Sequence, residues 1–273
     1  MNDNPVKTEY DDRPIGVFDS GFGGASTLRN ILAELPGESF IYYGDNKNAP
    51  YGDRPEEEIL RLSEHAAEFL LGHGVKALVV ACNTATSASI NALRRKLDVP
   101  VVSVEPAIKP ACEAPGEGQV LMLATAATTK LARYRALQQR MPDPARVVNV
   151  GCPGLVELIE RGETGCEAVF PVLDMRLGSL KGRLFDGIVL GCTHFPFAAP
   201  AIKSWAEQNL TGRCRLYDGN AGTARQLKRV ILKNGLCAAP GSPEAGRVSF
   251  FTSGDPIVCE PIFRRLLNTP IYE

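Results

Sequence analysis

Ala77-Leu78-Val79-Val80-Ala81-Cys82-Asn83-Thr84 and Gly187-Ile188-Val189-Leu190-Gly191-Cys192-Thr193-His194 follow one pattern, a short apolar run closed by a small residue, a cysteine and hydrogen-bonding side chains. An unbroken apolar run of this length reads as a strand buried on both faces, which is the habit of parallel sheets. Open α/β sheets keep their chemistry at the carboxyl ends of such strands. Each run therefore delivers a thiol to a loop where ligands bind. Two thiols in equivalent positions suit a reaction that needs two matched acid/base groups.

The neighbouring stretches repeat the theme. Strand-like Ile15–Phe18 leads through a glycine turn to a helix over about Ala25–Glu34, then strand Phe40–Tyr43 and a helix over Pro55–Leu71. Proline and three glutamates open that last helix, as the N-terminal dipole favours. A helix from about Thr86 to Lys96 and a strand over Val101–Val104 follow the Cys82 strand. The second half reads as strand Val120–Leu123, helix Thr129–Arg140, strand Val147–Val150, helices Leu155–Arg161 and Glu167–Leu177, the Cys192 strand, and helix Ala199–Asn209. Alternating strands and helices predict an α/β architecture with parallel sheets. Asp19 precedes Cys82 by nearly the separation at which Thr125 precedes Cys192, so two similar halves related by a pseudo-two-fold axis are expected, with the active site in the cleft between them.

Composition narrows the function. Of 273 residues, 44% are hydrophobic and 22% charged, and the formal net charge is −1. That balance fits a soluble globular enzyme and lacks the basic footprint of a nucleic-acid binder. No apolar stretch approaches a membrane span, and the polar start of the chain lacks a signal-peptide core, so a cytoplasmic protein is expected. Residues 1–13 read as a flexible lead-in. Eight cysteines without a CxxC pair, beside only three histidines, argue for reduced thiols rather than a disulfide frame or a structural zinc site.

Several motifs have ordinary readings. Asp19-Ser20-Gly21-Phe22-Gly23-Gly24 partly mimics a dinucleotide loop, with Asp45 after the next strand, but Ser26 replaces the third glycine and Asp19 would repel pyrophosphate. Capture of a carboxylate by Ser20 and the loop amides is the better reading. Tyr42-Tyr43-Gly44-Asp45 and Pro50-Tyr51-Gly52 flank the second strand end, either as a turn or as part of the cleft wall. Cys152-Pro153 and Glu160 fall in the corresponding region of the second half, where Glu160 reads equally as a solvated helix carboxylate. Asn83, Thr84 and Thr193 offer donors to a carboxylate and acceptors to an ammonium group. His194, close to Cys192, is placed to govern that thiol's protonation, and Asp19 is the comparable helper in the first half. A metal site at Cys192 and His194 lacks further ligands, and no lysine stands in a Schiff-base context.

Inverting a stereocentre needs a base on one face of the carbon and an acid on the other, which a thiolate/thiol pair supplies. The motifs Asp19-Ser20-Gly21-Phe22-Gly23-Gly24, Tyr43-Gly44-Asp45, Pro50-Tyr51-Gly52, Ala81-Cys82-Asn83-Thr84-Ala85 and Leu190-Gly191-Cys192-Thr193-His194-Phe195-Pro196 together resemble the glutamate racemases of the cofactor-independent aspartate/glutamate racemase superfamily. The resemblance spans about Ile15 to Gly235. It implies interconversion of L- and D-glutamate without a cofactor or metal, supplying D-glutamate for peptidoglycan. It further implies that Cys82 deprotonates D-glutamate and Cys192 L-glutamate, with Asp19, Glu160 and His194 as auxiliary catalytic groups. Asp19, Ser20, Pro50, Tyr51, Gly52, Asn83, Thr84, Thr128, Thr193 and His194, with the two cysteines, match its substrate contacts. Thr129 stands as the alternative to Thr128, and Glu157 as the alternative to Glu160. The late Asp-Ser-Gly of many members is here Asp218-Gly219-Asn220.

The implied domains are residues 14–105 completed by 218–273, and residues 106–217. The expected partner is a small-molecule substrate, L- or D-glutamate, with no nucleic acid and no membrane; a homodimer is compatible with the reading. The rivals are a racemase for another acidic amino acid such as aspartate, a silent ligand-binding protein on the same scaffold, and a cysteine-nucleophile hydrolase. The last two leave one or both cysteines without a purpose.

Overall fold

A computed structural model describes residues 10–272 and contains two parallel sheets. The first half runs β1 (Ile15–Asp19), α1 (Ala25–Glu34), β2 (Phe40–Gly44), α2 (Glu56–Gly72), β3 (Ala77–Val80), α3 (Asn83–Lys96) and β4 (Val101–Ser103). After α4 (Ile108–Glu113) come β5 (Gln119–Ala124), α5 (Ala126–Lys130), α6 (Ala132–Gln139), β6 (Val147–Gly151), α7 (Leu155–Arg161) and α8 (Cys166–Leu177). Then β7 (Phe185–Leu190), α9 (Ala199–Asn209) and β8 (Arg215–Tyr217) close the second sheet. The chain returns through α10 (Asn220–Lys233), β9 (Val248–Thr252) and α11 (Pro256–Asn268).

The first sheet has the order β4-β3-β1-β2-β9 and the second β6-β5-β7-β8. Counted within its own half, each sheet places its second strand beside its first, then its third and fourth. Both sheets thus repeat one open α/β winding, and β9 is added at the outer edge of β2, pairing Phe40 with Val248 and Gly44 with Thr252. All pairings between these strands are parallel. β1, β2 and β3 are buried throughout, which is why their sequences carry apolar residues on both faces.

Alternating side chains divide the core. Ile15 and Val17 from β1, with Leu121 and Leu123 from β5, join one large apolar cluster that runs between the halves. Phe18 and Val80 face α2 and α3 on the far side of the first sheet, and Val120 and Met122 face α4 and α6 on the far side of the second. Because the main cluster is continuous, the strand ends of both sheets are held against one another.

Three expectations need correction. α3 starts at Asn83, three residues earlier than expected, because Cys82 is its N-cap and its sulfur accepts the Ala85 N–H at 3.4 Å. The single helix expected over 129–140 is two, α5 and α6, because Leu131 turns extended (φ −66°, ψ 140°) and buries its side chain. Consecutive threonines just before it are weak helix formers, so the break costs little. The flexible lead-in falls largely on residues 1–9, outside the described residues, while Asp11–Arg13 are tied down. The Asp11 N–H donates to the Cys237 carbonyl at 2.9 Å and Asp12 accepts from Ala239 N–H at 2.9 Å. Among the described residues no helix is long and apolar enough to cross a membrane.

Candidate active site

Carboxyl ends of strands from both sheets converge on a cavity of about 240 Å³. From the first sheet come Ser20 and Gly21 after β1, Asn46 and Ala49–Gly52 after β2, and Cys82, Asn83 and Thr84 after β3. From the second come Thr125 after β5, Val156, Glu157 and Glu160 on α7 after β6, and Cys192, Thr193 and His194 after β7. The two cysteines end the third strand of each half and open onto the same space, yet each is only 5–7% exposed.

Their surroundings differ. The Cys82 thiol donates to Ser20 Oγ at 3.3 Å. Burial and the nearby Asp19 carboxylate push it up to about 12, against the lowering effect of the Ala85 N–H and Ser20 hydroxyl. It rests as a thiol. Cys192 Sγ lies 3.8 Å from His194 Nδ1, and His194 Nε2 lies 2.9 Å from Glu160 Oε1. Burial opposes charge on this imidazole. Contacts with the Cys192 sulfur and the Glu160 carboxylate outweigh that penalty and hold it well above its ordinary value. This environment favours the protonated imidazole beside Cys192, anchored from behind by Glu160.

Asp19 is wholly buried and belongs to the wall rather than the lining. Its carboxylate accepts from Gly21 N–H at 2.9 Å and from the Thr193 hydroxyl at 3.1 Å. Burial raises its pKa, with the His194 cation and these donors pulling the other way. The Ser26 hydroxyl donates to the Thr193 carbonyl at 2.8 Å, so the Cys192 loop is held once by the end of β1 and once by α1.

On the other side, the hydroxyls of Thr84, Thr125 and Thr128 form a triangle with edges of 2.9–3.0 Å. Thr84 belongs to the first half and the other two to the second. Thr128 is fully buried behind the other two, so the cavity wall there is Thr125. This and Asp19 are the two expected substrate contacts that do not line the cavity. Thr129 turns its hydroxyl to the Ala126 carbonyl. Of the alternative carboxylates, Glu157 and Glu160 both face the cavity, and Glu160 holds His194.

The Pro50–Gly52 wall is held from below by Asp45, which accepts from Tyr51 Oη at 2.6 Å and from Asn48 Nδ2 at 3.0 Å. Asn83 Oδ1 is buried and accepts no hydrogen bond from the described residues. Asn46, Ala49 and Val156 also line the cavity without having been singled out from the sequence, and Thr125, read there only as the spacing counterpart of Asp19, lines it too. Thr125 had a readable signal, since it follows β5 as the Asp19 region closes β1. The lining contains no lysine or arginine, and among the described residues no group of three His, Cys, Asp or Glu side chains is placed to hold a metal ion.

Comparison with known proteins is consistent across sequence and structure. The Asp/Glu/Hydantoin racemase family matches residues 15–227. A glutamate racemase of Clostridium novyi is 43% identical over 222 residues, covering 81% of this chain and 84% of that protein. The solved glutamate racemase of Thermus thermophilus, in complex with β-chloro-D-alanine, has a TM-score of 0.77 at 34% identity and covers 94% of each chain. That of Francisella tularensis, in complex with D-glutamate, reaches 0.81 at 26% identity over 96% of each chain.

Proposed function

This chain belongs to the Asp/Glu/Hydantoin racemase family, and we propose that it interconverts L- and D-glutamate by proton transfer at Cα between two cysteines. It is an isomerase of the racemase class. One observation carries the two-base reading: Cys82 and Cys192 end equivalent strands of two identically ordered windings and open onto one cavity.

With L-glutamate bound, Cys192 as thiolate takes the Cα proton while the Cys82 thiol gives its proton to the opposite face of the carbon. With D-glutamate the two exchange roles. The thiol state of resting Cys82 suits its part as acid, and the His194 cation suits the charge that Cys192 carries as base. Cα is weakly acidic, so the developing carbanion needs donors aimed at the α-carboxylate. Ser20, Thr84, Thr193 and the N–H groups opening α3 are available, and these neutral dipoles stand in for the lysine or arginine that the lining lacks. Asn83 Oδ1 takes the substrate ammonium. Burial of the reacting centre strengthens each of these interactions.

Glutamate is favoured over aspartate by the relatives, which are named for glutamate, one of them solved with D-glutamate. The two domains are residues 14–105 with 218–273, and 106–217, meeting at the cavity. The product serves cell-wall peptidoglycan, made in the cytoplasm, where eight free thiols persist reduced. Incubation with L-glutamate in D₂O tests the reading. We expect loss of circular dichroism together with deuterium at Cα, entering the D-enantiomer first. Folded, reduced protein that produces neither signal contradicts it.

A further inference from the structure

Arg265 on α11 reaches across to α7, where its Nη2 donates to the Glu160 carbonyl at 2.9 Å. The last carbonyls of a helix lack intrahelical donors. At the end of α7, the N–H groups of Gly162 and Glu163 turn back to Ile159 and Leu158, each at 2.9 Å, and Arg265 serves the Glu160 carbonyl. Gly162, with φ +86°, gives the guanidinium its room, since a Cβ there would stand 3.2 Å from the Arg265 guanidinium carbon. A cation at this end of α7 is also favoured by the helix dipole.

The two helices belong to different halves. α11 packs on α1 and β9, with the first sheet, whereas α7 follows β6 of the second. The bond therefore crosses between the halves at the residue whose carboxylate holds His194, which in turn adjoins Cys192.

We propose that Arg265 is a positioning residue for the Cys192 side of the reaction. By fixing the main chain of Glu160 against α11, it sets the register of the Glu160–His194–Cys192 chain. Among the described residues the hydrogen bonds of the Cys82 sulfur go to Ser20 and the start of α3 instead, within its own half. The inference rests on the two-base racemase reading.

The test compares wild type, Arg265→Gln and Arg265→Lys, using α-deuterated L- and D-glutamate. The equilibrium constant between enantiomers is unity, so kcat/KM must fall equally in both directions. We expect a fall of about tenfold for Arg265→Gln, given how steeply rate depends on positioning. The informative readout is the isotope effect on kcat/KM. It should rise for L-glutamate, whose proton Cys192 removes, and fall for D-glutamate. Arg265→Lys, which keeps a cation at the helix end, should recover part of the rate, and it carries the same readout if Arg265→Gln does not fold. Wild-type rates and isotope effects in the variants overturn the proposal, as does a rate loss in which both isotope effects move alike. A wild-type protein that does not racemise glutamate overturns the underlying reading instead, so the two failures are told apart.

Discussion

Gly23→Ala places a single methyl group against the Cys192 machinery. Its Cβ would lie 2.4 Å from His194 Nδ1, 2.5 Å from Thr193 Oγ1 and 2.7 Å from His194 Cε1. Non-bonded heavy atoms settle at about 3.5–4.0 Å, so the imidazole must retreat by roughly 1 Å. It has little room to do so, being buried and held at 2.9 Å to Glu160 on its far side. The retreat opens the 3.8 Å contact with Cys192 or breaks the bond to Glu160. Overpacking of this kind costs about 1–3 kcal/mol of stability. A displacement near 1 Å at a reacting group costs on the order of 100-fold in rate. Racemisation followed by circular dichroism in both directions, with thermal unfolding alongside, measures both. Gly37→Ala is the control, since nothing lies within 4 Å of its Cβ. A folded Gly23→Ala protein within about threefold of wild-type kcat/KM would refute the idea that this close approach fixes His194.

Two further predictions separate stability from chemistry. Lys76, fully buried at the start of β3, pairs with Glu38 at 2.5 Å and donates to the Asp11 carbonyl, at the opposite end of the strand from Cys82. Lys76→Met leaves the Glu38 carboxylate buried without its counter-ion, so about 3–5 kcal/mol of stability should be lost with KM for glutamate unchanged; calorimetry and steady-state kinetics check this, and an unaltered Tm contradicts it. Cys82, raised from 9.0 to about 12 in the folded protein, holds its proton more tightly than in the unfolded chain. Its contribution is complete below about pH 9 and lost as pH rises through 12, at on the order of 1 kcal/mol per pH unit. Denaturant titrations between pH 9 and 11 should therefore show a shallower decline for Cys82→Ser than for wild type, and parallel declines argue against the buried thiol.

The features legible in the sequence were those that burial writes into it directly. Strands such as Val79-Val80 and Ile188-Val189 are apolar on both faces, so the two sheets and the strand-end cysteines could be read without knowing the topology. β9 hid because it is a half-exposed edge strand, set apart by the glycine- and proline-bearing stretch after Leu236. α11 carries Pro261 in its interior, which masks its helical pattern. Within the site, residue types marked Ser20, Asn83 and Thr84 as polar groups at strand ends, and the family resemblance added Pro50. What remained hidden was orientation. Asp19 turns toward Gly21 and Thr193, which comes from the other half, and Thr128 is buried behind Thr125, which caps α5 and accepts the Thr128 N–H. The link from Arg265 to Glu160 joins residues 105 positions apart, a distance no local pattern encodes.

Cys192 is assigned to L-glutamate and Cys82 to the D-enantiomer. Cys82→Ser and Cys192→Ser, each presented separately with both enantiomers of a glutamate analogue carrying a leaving group on Cβ, test that most directly. Elimination needs only the base that removes the Cα proton, so Cys82→Ser should still eliminate from the L-analogue and Cys192→Ser from the D-analogue, while racemisation of glutamate falls by on the order of 10²–10⁴ in both. A single variant that racemises at a near wild-type rate, or that eliminates from the opposite enantiomer, contradicts this assignment of the two cysteines.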